Sequence, residues 1–128
     1  MKEQDTLQKQ KCTNMDYLKR LTKGNPKMIM EMVKIYLDET PKFLDKLKQG
    51  LNNMDWESMA RAAHSLKPSF ATMGMGAEFT EMAKNIQEYA EKKENPEKIK
   101  EWVLKIEAAC SQAREELEHE LVASEKYS

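Results

Sequence analysis

Two cysteines, two histidines, four glycines and four prolines are all that this 128-residue chain contains of those residue types, and each scarcity closes off a class of protein. Cys12 and Cys110 lie far apart and form no CxxC pair, so no disulfide framework and no zinc site is expected, and both read as free thiols of a reducing compartment. No apolar run approaches the roughly 18 residues that a membrane span needs. The opening Met1-Lys2-Glu3-Gln4-Asp5 has no signal-peptide core. Neither sign of charge is in excess: 34% of residues are charged, yet the formal net charge is −1. A nucleic-acid binder would show a basic surplus, so none is expected as a partner. No glycine-rich phosphate cradle or Walker-like lysine occurs, which argues against nucleotide binding or kinase activity of its own. A cytoplasmic protein with no membrane and no nucleic-acid partner is the expectation.

What the chain does hold is 40% apolar residues in helical periodicity, with few breakers between. Residues 1–12 are polar and aperiodic, and a flexible lead-in is expected there. Thr13 or Asn14 can cap a short helix through Leu18 and Leu21, which Gly24 ends. Asn25-Pro26 reads as an N-cap with proline at the first helical position. Ile29, Met32, Val33, Tyr36 and Leu37 then form a buried stripe that Pro41 is expected to break, with Phe43, Leu44, Leu47 and Leu51 carrying a further helix to about Asn53. Asp55 is a third cap candidate, opening a helix that reaches about Gly74 to Gly76. Phe79, Met82, Ile86 and Tyr89 mark the next helix, ending in Lys92-Lys93. Asn95-Pro96 starts a long last one through Leu121. An all-α antiparallel four-helix bundle with short additional N-terminal helices follows, occupying residues 13–122, with a flexible tail at 123–128.

His64 stands out within the Asp55 helix. Trp56, Met59, Ala63, Leu66, Phe70 and Met73 form its apolar stripe. At about 100° per residue, His64 falls roughly 130° from the middle of that stripe and should face water. Its neighbours one turn away are Ala60, Lys67, Pro68 and Ala71, small side chains plus one ammonium. Neutral imidazole is nucleophilic near physiological pH, and Lys67 can offset charge on phosphoryl oxygens as a point charge. An isolated His-x-x-Lys is most often an ordinary surface pair. Here it coincides with a capped helix and flanking alanines.

The segment Ala63-His64-Ser65-Leu66-Lys67, with Gly74 ten residues after the histidine, resembles the signature of the histidine-containing phosphotransfer (HPt) domains of bacterial phosphorelays. Upstream, Tyr36–Leu44 is similar to the family's second-to-third helix passage and Asp55-Trp56 to the start of its histidine helix, so the likeness covers about residues 13–120. It implies a four-helix bundle whose His64 takes a phosphoryl group from the phospho-aspartate of a receiver domain, or from a hybrid histidine kinase, and passes it to a response-regulator receiver. It implies a monomeric phosphocarrier rather than an enzyme, without a cofactor of its own, the Mg²⁺ residing on the partner receiver. One departure stands out: Pro68 follows Lys67 where the family usually has glycine. It removes the helical bond to the His64 carbonyl and is expected to kink the helix. The alternative it supports is a helical-bundle adaptor that binds a receiver or kinase without phosphotransfer.

Other residues complete the reading. Ala60, Arg61, Pro68, Ala71 and Met75 are expected to form the receiver docking face, Met75 because it falls about 20° from His64 around the axis. Gly74 falls near the buried stripe, where it would allow close helix packing, and Gly76 is the expected helix stop. Glu116-Leu117-Glu118-His119 is a Glu-x-x-His. Arg61 stands three residues before His64, however, so the second motif of a di-iron bundle is missing, and His119 reads as solvated on an acidic face.

Overall fold

A computed structural model describes residues 11–126. Most of the expected lead-in (residues 1–10) and the end of the expected tail (127–128) lie outside the described residues. Among the described residues there are five helices and no strand: α1 (Asp16–Leu21), α2 (Pro26–Asn53), α3 (Trp56–Thr72), α4 (Ala77–Lys92) and α5 (Pro96–Lys126).

The three Asx caps form as their sequences dictate. The Asn25 side chain accepts from the Met28 N–H with Pro26 in the first turn, and Asp55 accepts from Ser58 N–H at 3.2 Å. The Asn95 side chain accepts from Lys98 N–H, again at 3.2 Å. Each cap satisfies one amide that has no partner inside the helix, worth about 1 kcal/mol. At α1, Asn14 Oδ1 accepts from Asp16 N–H at 2.8 Å. That helix ends in a left-handed pair, Lys23 at φ 55° and Gly24 at φ 76°.

Pro41 does not break the chain into two helices. α2 runs unbroken through it for 28 residues, so the passage expected around Tyr36–Leu44 lies inside one helix. The reason is packing on both sides. Val33, Tyr36, Thr40, Leu47 and Gly50 bury one continuous face while Pro41 itself is exposed. An interior proline costs about 3 kcal/mol, and burying two or three such side chains at about 1.5–3 kcal/mol each exceeds it. At the other end, α5 continues to Lys126, past the expected limit of 122.

α3 packs between α2 and α4, and α5 closes the ring against the same two helices. The connections are short, and successive helices therefore run antiparallel. The core holds five of the six residues of the expected stripe: Met59, Ala63, Leu66, Phe70 and, just past the end of α3, Met73 are each at most 1% exposed, while Trp56 is partly buried against them. Facing them are Val33 and Leu47 of α2, Ile86 of α4 and Ile99, Ile106 and Leu117 of α5. Gly50 lets α2 approach the start of α3, since a Cβ there would meet Met59 at 3.1 Å. No described helix is long and apolar enough to cross a membrane.

Candidate functional site

The position of His64 follows from the stripe on the opposite side of α3. With Ala63 and Leu66 driven into the core, the intervening residue is turned to solvent, and His64 is exposed. Among the described residues none hydrogen-bonds its ring. Ala60 and Lys67 are half-buried one turn to either side, and Pro68 and Ala71 are exposed. Arg61 is exposed and pairs with Glu57 at 3.4 Å, both side chains 77% accessible. An ion pair that wet contributes little to stability and is free to exchange partners.

Two unlike grooves meet at His64. Between α2 and α3 runs an apolar groove of about 520 Å³, walled by Met32, Ile35 and Phe43 on one side and Pro68 on the other. Ile35 is 61% exposed, unusually open for an isoleucine. Between α3 and α4 runs a charged groove of about 660 Å³, with Glu57, Arg61, Glu91 and Lys93 on its walls. His64 and Ser65 line both. Sequence reasoning placed the α3 residues but missed the α2 wall. Its signal was Ile35, an apolar residue standing off the buried stripe of α2.

Met75 is not part of this face. α3 ends at Thr72, so the helical arithmetic that put Met75 beside His64 does not extend that far. The chain turns at Gly74, φ 64°, and Met75 is 5% exposed, its sulfur accepting from the Tyr36 hydroxyl at 3.4 Å. Nor is Gly74 a helix-packing residue. It lies against the Asn14 backbone, and a Cβ there would clash with the Asn14 carbonyl oxygen. Gly76 caps the start of α4 rather than stopping α3.

The N-terminal segment supplies a second feature that sequence did not reveal. Glu116 on α5 accepts from the backbone N–H groups of Cys12 at 2.9 Å and Thr13 at 3.0 Å, and from the Thr13 hydroxyl at 2.6 Å. Asn14 N–H then donates to the Met73 carbonyl at 3.0 Å. The strap so formed ties α5 to the end of α3. Cys12 donates its thiol to the Ala109 carbonyl. Burial first, then the Glu116 carboxylate, pushes that thiol up to about 12, and burial pushes Cys110 up to about 11. His119 is exposed. Among the described residues no group of three or more histidine, cysteine or acidic side chains is placed to hold a metal ion.

The site lies inside the region that a known family model covers. The model described as Hpt domain matches residues 31–123, which run from the first turns of α2 almost to the end of α5 and include His64. No curated protein and no solved structure gives a significant match. Hpt domains are phosphocarrier modules rather than typical enzymes, and they interact with response-regulator receivers and kinases. With close to three quarters of its length matched and its helices arranged as a four-helix bundle, this chain belongs to the Hpt domain family, whose members carry out histidine phosphotransfer in phosphorelays.

Proposed function

We propose that His64 is the phospho-accepting residue of a relay between receiver domains. The observation that carries this is its unscreened ring within the matched region, on the crest between two grooves. A neutral ring nitrogen attacks the phosphorus of an aspartyl phosphate on a receiver. The N–P bond forms, the bond from phosphorus to the carboxylate oxygen breaks, and the carboxylate leaves. Reversal of the step against a second receiver's aspartate returns the ring to its starting state. Lys67, one turn on, offsets the charge of the phosphoryl oxygens. Ala60, Arg61, Pro68 and Ala71 form the docking face, extended by the apolar wall at Met32 and Ile35. A hybrid histidine kinase supplies the phosphate through its receiver. The chain acts as a monomer in the cytoplasm and needs no cofactor of its own, because Mg²⁺ binds in the receiver's acidic pocket.

The test is transfer from a panel of phosphorylated receiver domains, read by intact mass and acid lability. Wild type should gain one acid-labile phosphoryl group, and His64→Gln none. Binding without uptake across the panel would favour the adaptor reading, in which Pro68 marks a site that has kept its shape and lost its chemistry.

A further inference from the structure

Pro68 occupies the position in α3 whose N–H would otherwise donate to the carbonyl of His64, four residues back. Proline has no N–H to give, so that carbonyl has no donor at the usual position four residues on, and the proline ring crowds it. α3 nevertheless continues to Thr72. As at Pro41, the buried residues on either side, here Leu66 and Phe70, offset the cost, while the proline ring itself is exposed and packs against nothing in the core. Breaches of a local rule tend to sit at functional positions, with their cost met elsewhere in the fold. This one involves the backbone of the proposed phospho-acceptor itself. No side chain among the described residues donates to the His64 carbonyl, and both residues line the apolar groove with Met32 and Ile35.

We infer that Pro68 determines partner specificity by leaving the His64 carbonyl as a hydrogen-bond acceptor for a donor on the docking receiver. A receiver that presents an N–H or O–H at that point is favoured over one that presents an acceptor or an apolar group, which would bury the carbonyl unpaired. The apolar wall excludes water once a partner is seated, which strengthens the bond. With glycine, the residue usual here in the domains this segment resembles, the carbonyl would be held within the helix and unavailable. The inference rests on His64 exchanging phosphate with receivers.

The test uses the full chain, the receiver that transfers fastest to wild type, and the variants Pro68→Ala and Pro68→Val. Both restore the N–H, and valine keeps a branched apolar side chain. Pro68→Ala should melt several degrees higher, since α3 regains a bond. In both variants KM for the phosphorylated receiver should rise about fivefold, the effect of one neutral hydrogen bond, with kcat changed by less than about twofold. With ¹³C at the His64 carbonyl, unphosphorylated receiver should shift the wild-type resonance downfield and leave that of Pro68→Ala in place. Wild-type efficiency in both variants would overturn the inference. So would a loss in Pro68→Ala alone, which would assign the effect to side-chain bulk. Failure of the parent proposal looks different: wild type then takes up no phosphate, or His64→Gln takes up as much.

Discussion

Thr13 and Glu116 are 103 positions apart in the chain and joined by a hydroxyl-to-carboxylate hydrogen bond of 2.6 Å. Around it, the Cys12 and Thr13 amides donate to the same carboxylate, and the strap continues to Met73 at the end of the histidine helix. The clasp closes a path from α5, through the N-terminal segment, to the turn beyond α3.

Glu116→Gln should lower stability by about 1–3 kcal/mol at neutral pH, since it weakens four charge-assisted bonds to one group. The effect is pH-dependent. Burial by itself would raise the Glu116 carboxyl, but bonds from the Thr13 hydroxyl, the Cys12 amide, Gln112 and the Thr13 amide outweigh it and hold it below the usual 4.5. A folded-state value below the unfolded one contributes stability above the unfolded value and loses it as pH falls through the folded one. Urea midpoints measured from pH 7 to about 3 should show wild type and variant converging toward acid. A gap that widened there would refute the clasp.

Gly74→Ala should cost about 2–3 kcal/mol, the sum of a left-handed alanine and a disturbed Asn14–Met73 bond. The position has φ 64°, and the added carbon would meet backbone, which cannot swing aside as a side-chain tip can. Denaturant unfolding measures this directly. An unchanged midpoint would mean that the strap does not lie where Asn14 places it.

Met75→Ala separates burial from docking. Truncating a buried methionine costs about 2–5 kcal/mol and here also removes the sulfur that accepts from the Tyr36 hydroxyl. Stability should fall, while receiver affinity of the folded fraction stays within about twofold. Loss of affinity at full stability would restore Met75 to the docking face.

Lys67→Ala should slow phosphoryl transfer roughly 10- to 100-fold, the range of one charge-assisted contact, and leave the melting temperature nearly unchanged because no ion pair holds the side chain among the described residues. Rapid-quench transfer kinetics would read it. A rate equal to wild type would remove Lys67 from the mechanism.

The two thiols should react slowly with iodoacetamide at pH 7–8, because burial holds Cys12 near 12 and Cys110 near 11, where the thiolate is scarce. Unfolding in urea should speed alkylation of both by more than about tenfold. Equal rates in the folded and unfolded chain would show that neither thiol is shielded by the fold as described.

The helices and the aspect of His64 were legible because they depend on neighbours in sequence. A cap needs an Asx side chain and an amide three residues on, as at Asn25, Asp55 and Asn95. The exposure of His64 needs only a stripe of constant period on the same helix. Those are short-range constraints, and local chemistry determines them. Where the same arithmetic was carried past the end of its helix it failed: Met75 lies on no continuation of α3, because the chain turns at Gly74.

What the sequence by itself determined, then, is the all-α class, the capped starts of α2, α3 and α5, the buried face of α3 and a histidine turned to solvent beside small residues and a lysine. Tertiary structure alone decided the rest. It kept α2 whole through Pro41, because burial on either side exceeds the cost of one proline. It buried Met75 under Tyr36 and brought Glu116 to Thr13. It set Ile35 of α2 in the groove that His64 lines. Each of these joins residues far apart in the chain, and the free energy that selects them comes from apolar area and buried polar groups shared between helices. No window of one helix contains both halves of such a contact, and so none of them could be read from periodicity.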